Sequence, residues 1–275
     1  MGLIEDQSFV NLNNGVRMPL LGLGVYDMHA EEAVEAVCFA LQTGYRLIDT
    51  AAMYGNEKQI GEGIRRSGIS REEIFVTTKV NNTDQGYDET LRAFDQSTKL
   101  LGLDVIDLYL IHWPIKHKRA STWKAIEQLY QSGRARAIGT GNYLLPFLHE
   151  MESYSSIKPA VNQIEFSPYL FLKDELNYCR QHQICLQAYT PLLRGKKFND
   201  PRLMELAKKY GKTPAQIILR WAIEQGISTI PKSSNPERIR ENFGIFDFSL
   251  VEEDISMMNG FHEGLRIVDD PMEMY

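Results

Sequence analysis

Short apolar, β-branched and aromatic runs recur along this chain, each followed by a break and then by residues at helical spacing. The runs cover 20–25, 45–49, 74–79, 106–112, 135–139, 160–165, 184–189 and 227–232. Continuous apolar runs of this length are the pattern of parallel strands buried on both faces. Between them the spacing predicts helices over 30–42, 57–66, 88–101, 122–131, 146–154, 174–182 and 214–224. Pro214 after Thr213 opens one helix, and Gly44, Gly102 and Gly133 close others. Eight strand-helix alternations imply an α/β protein with a parallel sheet, and the count suits a closed (β/α)8 TIM barrel. The segments 9–12 and 16–18 flank Asn13-Asn14-Gly15 and predict an N-terminal β-hairpin. No linker or change of composition divides residues 1–275, so a single domain is expected.

A doubly wound sheet is the competing architecture. Its dinucleotide fingerprint needs a third glycine at a helix start, yet Gly22-Leu23-Gly24 runs on into Val25-Tyr26-Asp27. The two glycines read better as close backbone packing near a strand end.

Several runs end on polar, titratable side chains: Asp49, Lys79 and His112, with Tyr54 five residues past Asp49. Such groups are costly in a core but fit strand ends that open onto an active site. Taken alone, Asp49 and Lys79 also read as an ion pair under the barrel rim, and His112 beside Trp113 as a core histidine.

With 30 basic and 36 acidic residues the net charge is −6, which argues against a nucleic acid or an anionic membrane as the main partner. Cys38, Cys179 and Cys185 lack metal-binding spacing and are expected as buried free thiols, with no metal. No apolar signal core or bilayer-length segment stands out, so a cytoplasmic, monomeric protein is expected.

Three segments carry a resemblance: Gly44 to Glu57 (GYRLIDTAAMYGNE), Asp107 to Pro114 (DLYLIHWP) and Ile230 to Asn242 (IPKSSNPERIREN). In this order they resemble the signature segments of the aldo-keto reductases, closest to the short bacterial branch similar to 2,5-diketo-D-gluconate reductases. The resemblance runs from about Val10 to about Gly260. It implies NADPH-dependent reduction of a small-molecule carbonyl, with Tyr54, Asp49, Lys79 and His112 as the catalytic residues.

The chemistry of these residues agrees. A phenol with a pKa of about 10 is a poor acid near neutrality, and a neighbouring Lys79 ammonium would lower it. Asp49 would hold Lys79, and His112 would orient the substrate oxygen. Two other readings stay open: Lys79 as a Schiff-base nucleophile in an aldolase-like reaction, and a non-catalytic NADPH-sensing subunit.

Lys232, Ser233, Ser234, Asn235 and Arg238 bring cations, hydroxyls and a helix start together, an anion site in the making. In the family the corresponding Lys, Ser and Arg hold the adenosine 2′-phosphate. The resemblance further implies Glu241 and Asn242 on the adenine, and Asn142 and Gln163 on the nicotinamide carboxamide. It places Tyr189 against the ring, with Val25, Tyr26, Thr190 and Leu192 as further cofactor contacts. Tyr26, Met53, Asn81, His112 and Trp113 would line the substrate pocket. The chain departs from the family at Gly141, where Ser is usual, at Asn81, where Trp is usual, and at Tyr26, where many members have Trp.

Overall fold

The computed structural model describes residues 9–273. A hairpin comes first: β1 (Phe9–Asn11) and β2 (Arg17–Pro19) pair antiparallel around Gly15, whose φ of +83° suits a glycine. Eight parallel strands follow: β3 (Leu23–Gly24), β4 (Leu47–Asp49), β5 (Phe75–Val80), β6 (Ile106–Ile111), β7 (Ala135–Gly141), β8 (Val161–Glu165), β9 (Cys185–Tyr189) and β10 (Ser228–Ile230). They pair in sequence order, and the barrel closes where Thr229 N donates to Leu20 O and Gly22 N to Thr229 O.

Alternation along each strand separates two cores. Phe75, Leu108, Leu110, Ala137 and Val161 point into the barrel, where Leu12 and Met18 of the hairpin region join them and plug one end. Val76, Val80, Tyr109 and Ile138 point outward, into the layer beneath the helices. The expected strands all appear, most of them trimmed by a residue or more.

The helices are α1 (Ala30–Thr43), α2 (Glu57–Ser67), α3 (Tyr87–Leu101), α4 (Arg119–Gln131), α5 (Leu145–Met151), α6 (Lys173–Gln181), α7 (Pro201–Tyr210), α8 (Pro214–Glu224), α9 (Pro236–Phe243) and α10 (Glu252–Asn259). Helix α4 starts three residues earlier than 122–131 predicts, and α5 stops three residues short of residue 154. Helices α7 and α10 were not anticipated. Both lie outside the strand-helix alternation, although Asp200 caps α7 by accepting from Arg202 N at 2.9 Å. Cys179 and Cys185 are buried as expected, while Cys38 keeps partial exposure. No helix among the described residues is long and apolar enough to cross a membrane.

Helices α2 and α3 approach closely through Gly61, where an added Cβ would lie 2.2 Å from the Leu101 carbonyl oxygen. Gly61→Ala must therefore push α2 off α3. An overpacking loss of about 1–3 kcal/mol is expected in urea unfolding. An unchanged midpoint would mean that the helices separate without cost.

Candidate active site

The expected catalytic residues gather at the C-terminal ends of the strands. Asp49 ends β4, Lys79 lies one residue before the end of β5, and His112 follows β6 directly. Phe75, Thr77 and Lys79 share the inner face of β5, so the ammonium points into the barrel. Lys79 Nζ donates to Asp49 Oδ1 at 2.6 Å and to the Thr50 carbonyl at 2.8 Å. Gln163 Nε2 donates to Asp49 Oδ2 at 2.7 Å and to Gln187 Oε1 at 2.8 Å. Burial pushes the Asp49 carboxyl up and the Lys79 ammonium down, while their contact and hydrogen bonds pull each back. Two donors on the carboxylate and two acceptors on the ammonium favour the charged pair.

Tyr54 sits in a single 3-10 turn, Ala52–Tyr54, that Gly55 ends in the left-handed region at φ 65°. Its ring lies edge-on to Tyr26 at 5.2 Å and to His112 at 5.6 Å, with Lys79 Nζ 5.1 Å from the ring centroid. One expectation is overturned here. Burial, with Asp49 and Tyr26 adding to it, holds the Tyr54 phenol well above its usual range. Burial outweighs any lowering by Lys79, whose ammonium is also answered by the Asp49 carboxylate. His112 is pushed well below the usual imidazole range by burial and then by Lys79, so it is neutral. Its Nδ1 is buried without a partner among the described residues.

Asn142 follows β7 in the left-handed region, at φ 64°. Its amide nitrogen donates to the His112 carbonyl at 2.9 Å, and its oxygen accepts the Tyr189 hydroxyl at 2.7 Å. One N–H of Asn142 thus stays unassigned, and Gln163 keeps its carbonyl oxygen while both its N–H groups serve the protein. Gly141 has a local cause: a Cβ there would lie 2.7 Å from the His112 carbonyl and 2.8 Å from that of Ile111. Strand β7 presses against β6 too closely for a serine.

Of the expected substrate contacts, Tyr26 is 54% and Met53 42% exposed, whereas Trp113 is 8% exposed. Val25 is buried, and Asn56 ties its carbonyl at 2.9 Å and that of Met28 at 3.1 Å. Thr190 and Arg194 both take positive φ in the loop after β9, on either side of half-buried Leu192. Asn81 is held by local hydrogen bonds. Its Oδ1 accepts from Asn82 N at 2.8 Å and its amide donates to Thr83 Oγ1 at 3.0 Å, so the side chain braces the loop after β5.

After β10, Lys232 and Arg238 are exposed, and among the described residues neither forms an ion pair. Ser233 is buried with its hydroxyl accepting from Asn235 N at 3.2 Å, and Asn235 caps α9 by accepting from Arg238 N at 3.1 Å. Ser234 is half-buried between them. Glu241 accepts the Thr213 hydroxyl at 2.9 Å, and Asn242 is buried. Asn56, Gln187 and Glu57 were missed as site residues. Asn56 and Glu57 stand inside the motif containing Tyr54, but their roles depend on partners 21 to 31 residues away.

The model of the aldo/keto reductase family matches residues 20–263. Glyoxal reductase of Bacillus subtilis is 47% identical over 266 residues, covering 96% of each chain. An aldo-keto reductase from a Medee basin deep-sea metagenome library superimposes with a TM-score of 0.93 at 46% identity, covering 95% of this chain and 97% of that one. Bombyx mori aldo-keto reductase in complex with NADP superimposes with a TM-score of 0.90 at 36% identity, covering 95% and 94%. The chain belongs to the aldo/keto reductase family. It is an oxidoreductase that binds a nicotinamide cofactor.

Losing the Asn81 brace should act on stability. Asn81→Ala is expected to cost about 0.5–2 kcal/mol in urea unfolding, the usual range for a lost cap. A loss of substrate affinity at full stability would return Asn81 to the pocket wall.

Proposed function

We propose that this chain is a single-domain, NADPH-dependent reductase of small aldehydes and ketones, with Tyr54 as proton donor. The observation that carries the reading is the buried Lys79–Asp49 pair at 2.6 Å beneath the Tyr54 ring. The relative's name, glyoxal reductase, favours dicarbonyls among the substrates; keto-sugars are the other class to try.

The residues fit the cofactor. Asn142 offers an N–H and Gln163 a carbonyl oxygen, the complements of a carboxamide's oxygen and amine. Half-buried Tyr189 supplies a ring face fixed by its bond to Asn142. Lys232, Ser234 and Arg238 would take the 2′-phosphate at the start of α9, and Glu241 with Asn242 the adenine. When bound, the cofactor supplies a hydride to the carbonyl carbon.

The protein's own residues handle the oxygen. Neutral His112 and neutral Tyr54 present N–H and O–H donors to the carbonyl oxygen, aligning it without holding a charge there beforehand. As negative charge develops, Tyr54 gives up its proton, because an alkoxide is far more basic than a phenolate. The phenolate left behind is stabilised by the Lys79 ammonium, and Asp49 keeps that ammonium in place. A Schiff-base reaction needs a free amine. Here Lys79 is held as an ammonium by two acceptors, which favours the reductase.

Tyr54→Phe is expected to keep NADPH binding and to lose about 10²–10⁴-fold in kcat, the range of general acid catalysis. Near-normal turnover would remove Tyr54 from the acid role. Lys232→Ala with Arg238→Ala should weaken NADPH about tenfold or more, equivalent to about 1.4 kcal/mol, and leave NADH nearly unchanged. Equal losses for both cofactors would assign these residues to the fold. The pH profile of reduction should show no acid limb from His112, already neutral, and an alkaline limb where Lys79 loses its lowered proton.

A further inference from the structure

Behind the barrel wall that carries Lys79 lies a second buried carboxylate that this mechanism does not use. Glu57 is the first residue of α2 and only 3% exposed. It points between α2, α3 and the outer face of β5, where Thr78 Oγ1 donates to its Oε1 at 2.6 Å. The Ser97 hydroxyl of α3 reaches it as well. From the strands, Lys79 of β5 and the phenol of Tyr109 of β6 are the titratable groups within its field. Asp84, Glu89 and Arg92 line a cleft of about 400 Å³ that opens onto it from the α3 side.

Thr78 and Lys79 are consecutive on one strand and face opposite sides of the wall. A carboxylate that grips Thr78 from outside therefore fixes the backbone from which Lys79 projects inward. Its charge also has a purpose at this place. A buried carboxylate is unfavourable unless a cation answers it, and among the causes acting on Glu57 the cation is Lys79. Asp49, bonded to the ammonium directly, and Glu57, through its field across the wall, thus favour the same charge.

We propose that Glu57 is a positioning residue for carbonyl reduction, which with Thr78 holds the Lys79 ammonium against Tyr54 from outside the barrel. The proposal rests on the reductase reading above. Glu57 touches neither substrate nor cofactor and acts through Lys79. Its negative charge favours the protonated lysine, so removing that charge must move the alkaline limb of the rate profile to lower pH.

The test measures kcat/KM for NADPH-dependent reduction of glyoxal between pH 5 and 10, alongside NADPH binding and thermal melting. Glu57→Gln keeps an acceptor for Thr78 and loses the charge. The alkaline limb should move down by about half a pH unit or more, about threefold in the lysine's proton affinity, with NADPH binding within about twofold. Glu57→Asp, which restores the charge, should bring the limb most of the way back. If Glu57→Gln does not fold, Thr78→Val serves instead: the charge stays, so the limb should hold while kcat falls about threefold or more with NADPH binding kept, because the strand behind Lys79 is no longer gripped. An unmoved limb in Glu57→Gln, or an unchanged kcat in Thr78→Val, with only a lower melting temperature, would make Glu57 structural and overturn the proposal. A wild-type protein without Tyr54-dependent reduction would overturn both the reductase reading and the proposal built on it.

Discussion

An ammonium and a carboxylate 2.6 Å apart inside a barrel have lost most of their hydration, so their remaining donors and acceptors need fixed partners. Much of the polar interior follows from that requirement. The Thr50 carbonyl takes a second proton of Lys79, and Gln163 covers the second oxygen of Asp49. Gln163 is held by Gln187, and Gln187 donates to Ser228 Oγ at 3.0 Å. A belt of hydrogen bonds therefore runs across the barrel from β5 through β4, β8 and β9 to β10. These strands are thereby kept in register with one another.

The same pair determines the electrostatics of the site. A lysine beside a phenol lowers its pKa when the lysine's charge is uncompensated. Here Asp49 compensates it in part, and burial holds the phenol neutral before reaction. In the proposed reaction the site would meet a carbonyl with neutral donors, and its cation would stabilise the phenolate as the proton leaves. Electrostatic preorganisation of this kind costs little reorganisation at the moment of proton transfer.

Backbone crowding accounts for one departure from the family pattern, at Gly141, and local hydrogen bonding for a second, at Asn81. Gly141 follows from the approach of β7 to β6, which leaves no room for a serine side chain. Asn81 follows from a loop that needs a cap after β5, with Asn82 and Thr83 as its partners. Both substitutions are visible in the sequence, but their causes lie in neighbouring strands and turns.

The sequence by itself determined the strand-helix alternation, the hairpin and the residues Asp49, Tyr54, Lys79 and His112, because period, turn chemistry and residue type are local properties. It missed α7 and α10, which lie outside the repeat. It also put the phenol's pKa shift in the wrong direction. That sign depends on how deeply Tyr54 is packed and on the charges of Asp49 and Tyr26 beside it. Only the tertiary structure decided those, and it alone brought Gln163 to Asp49, Gln187 to Gln163 and Glu57 to Thr78. Contacts between residues 21 to 114 positions apart are set by strand register and barrel closure, which no local pattern encodes.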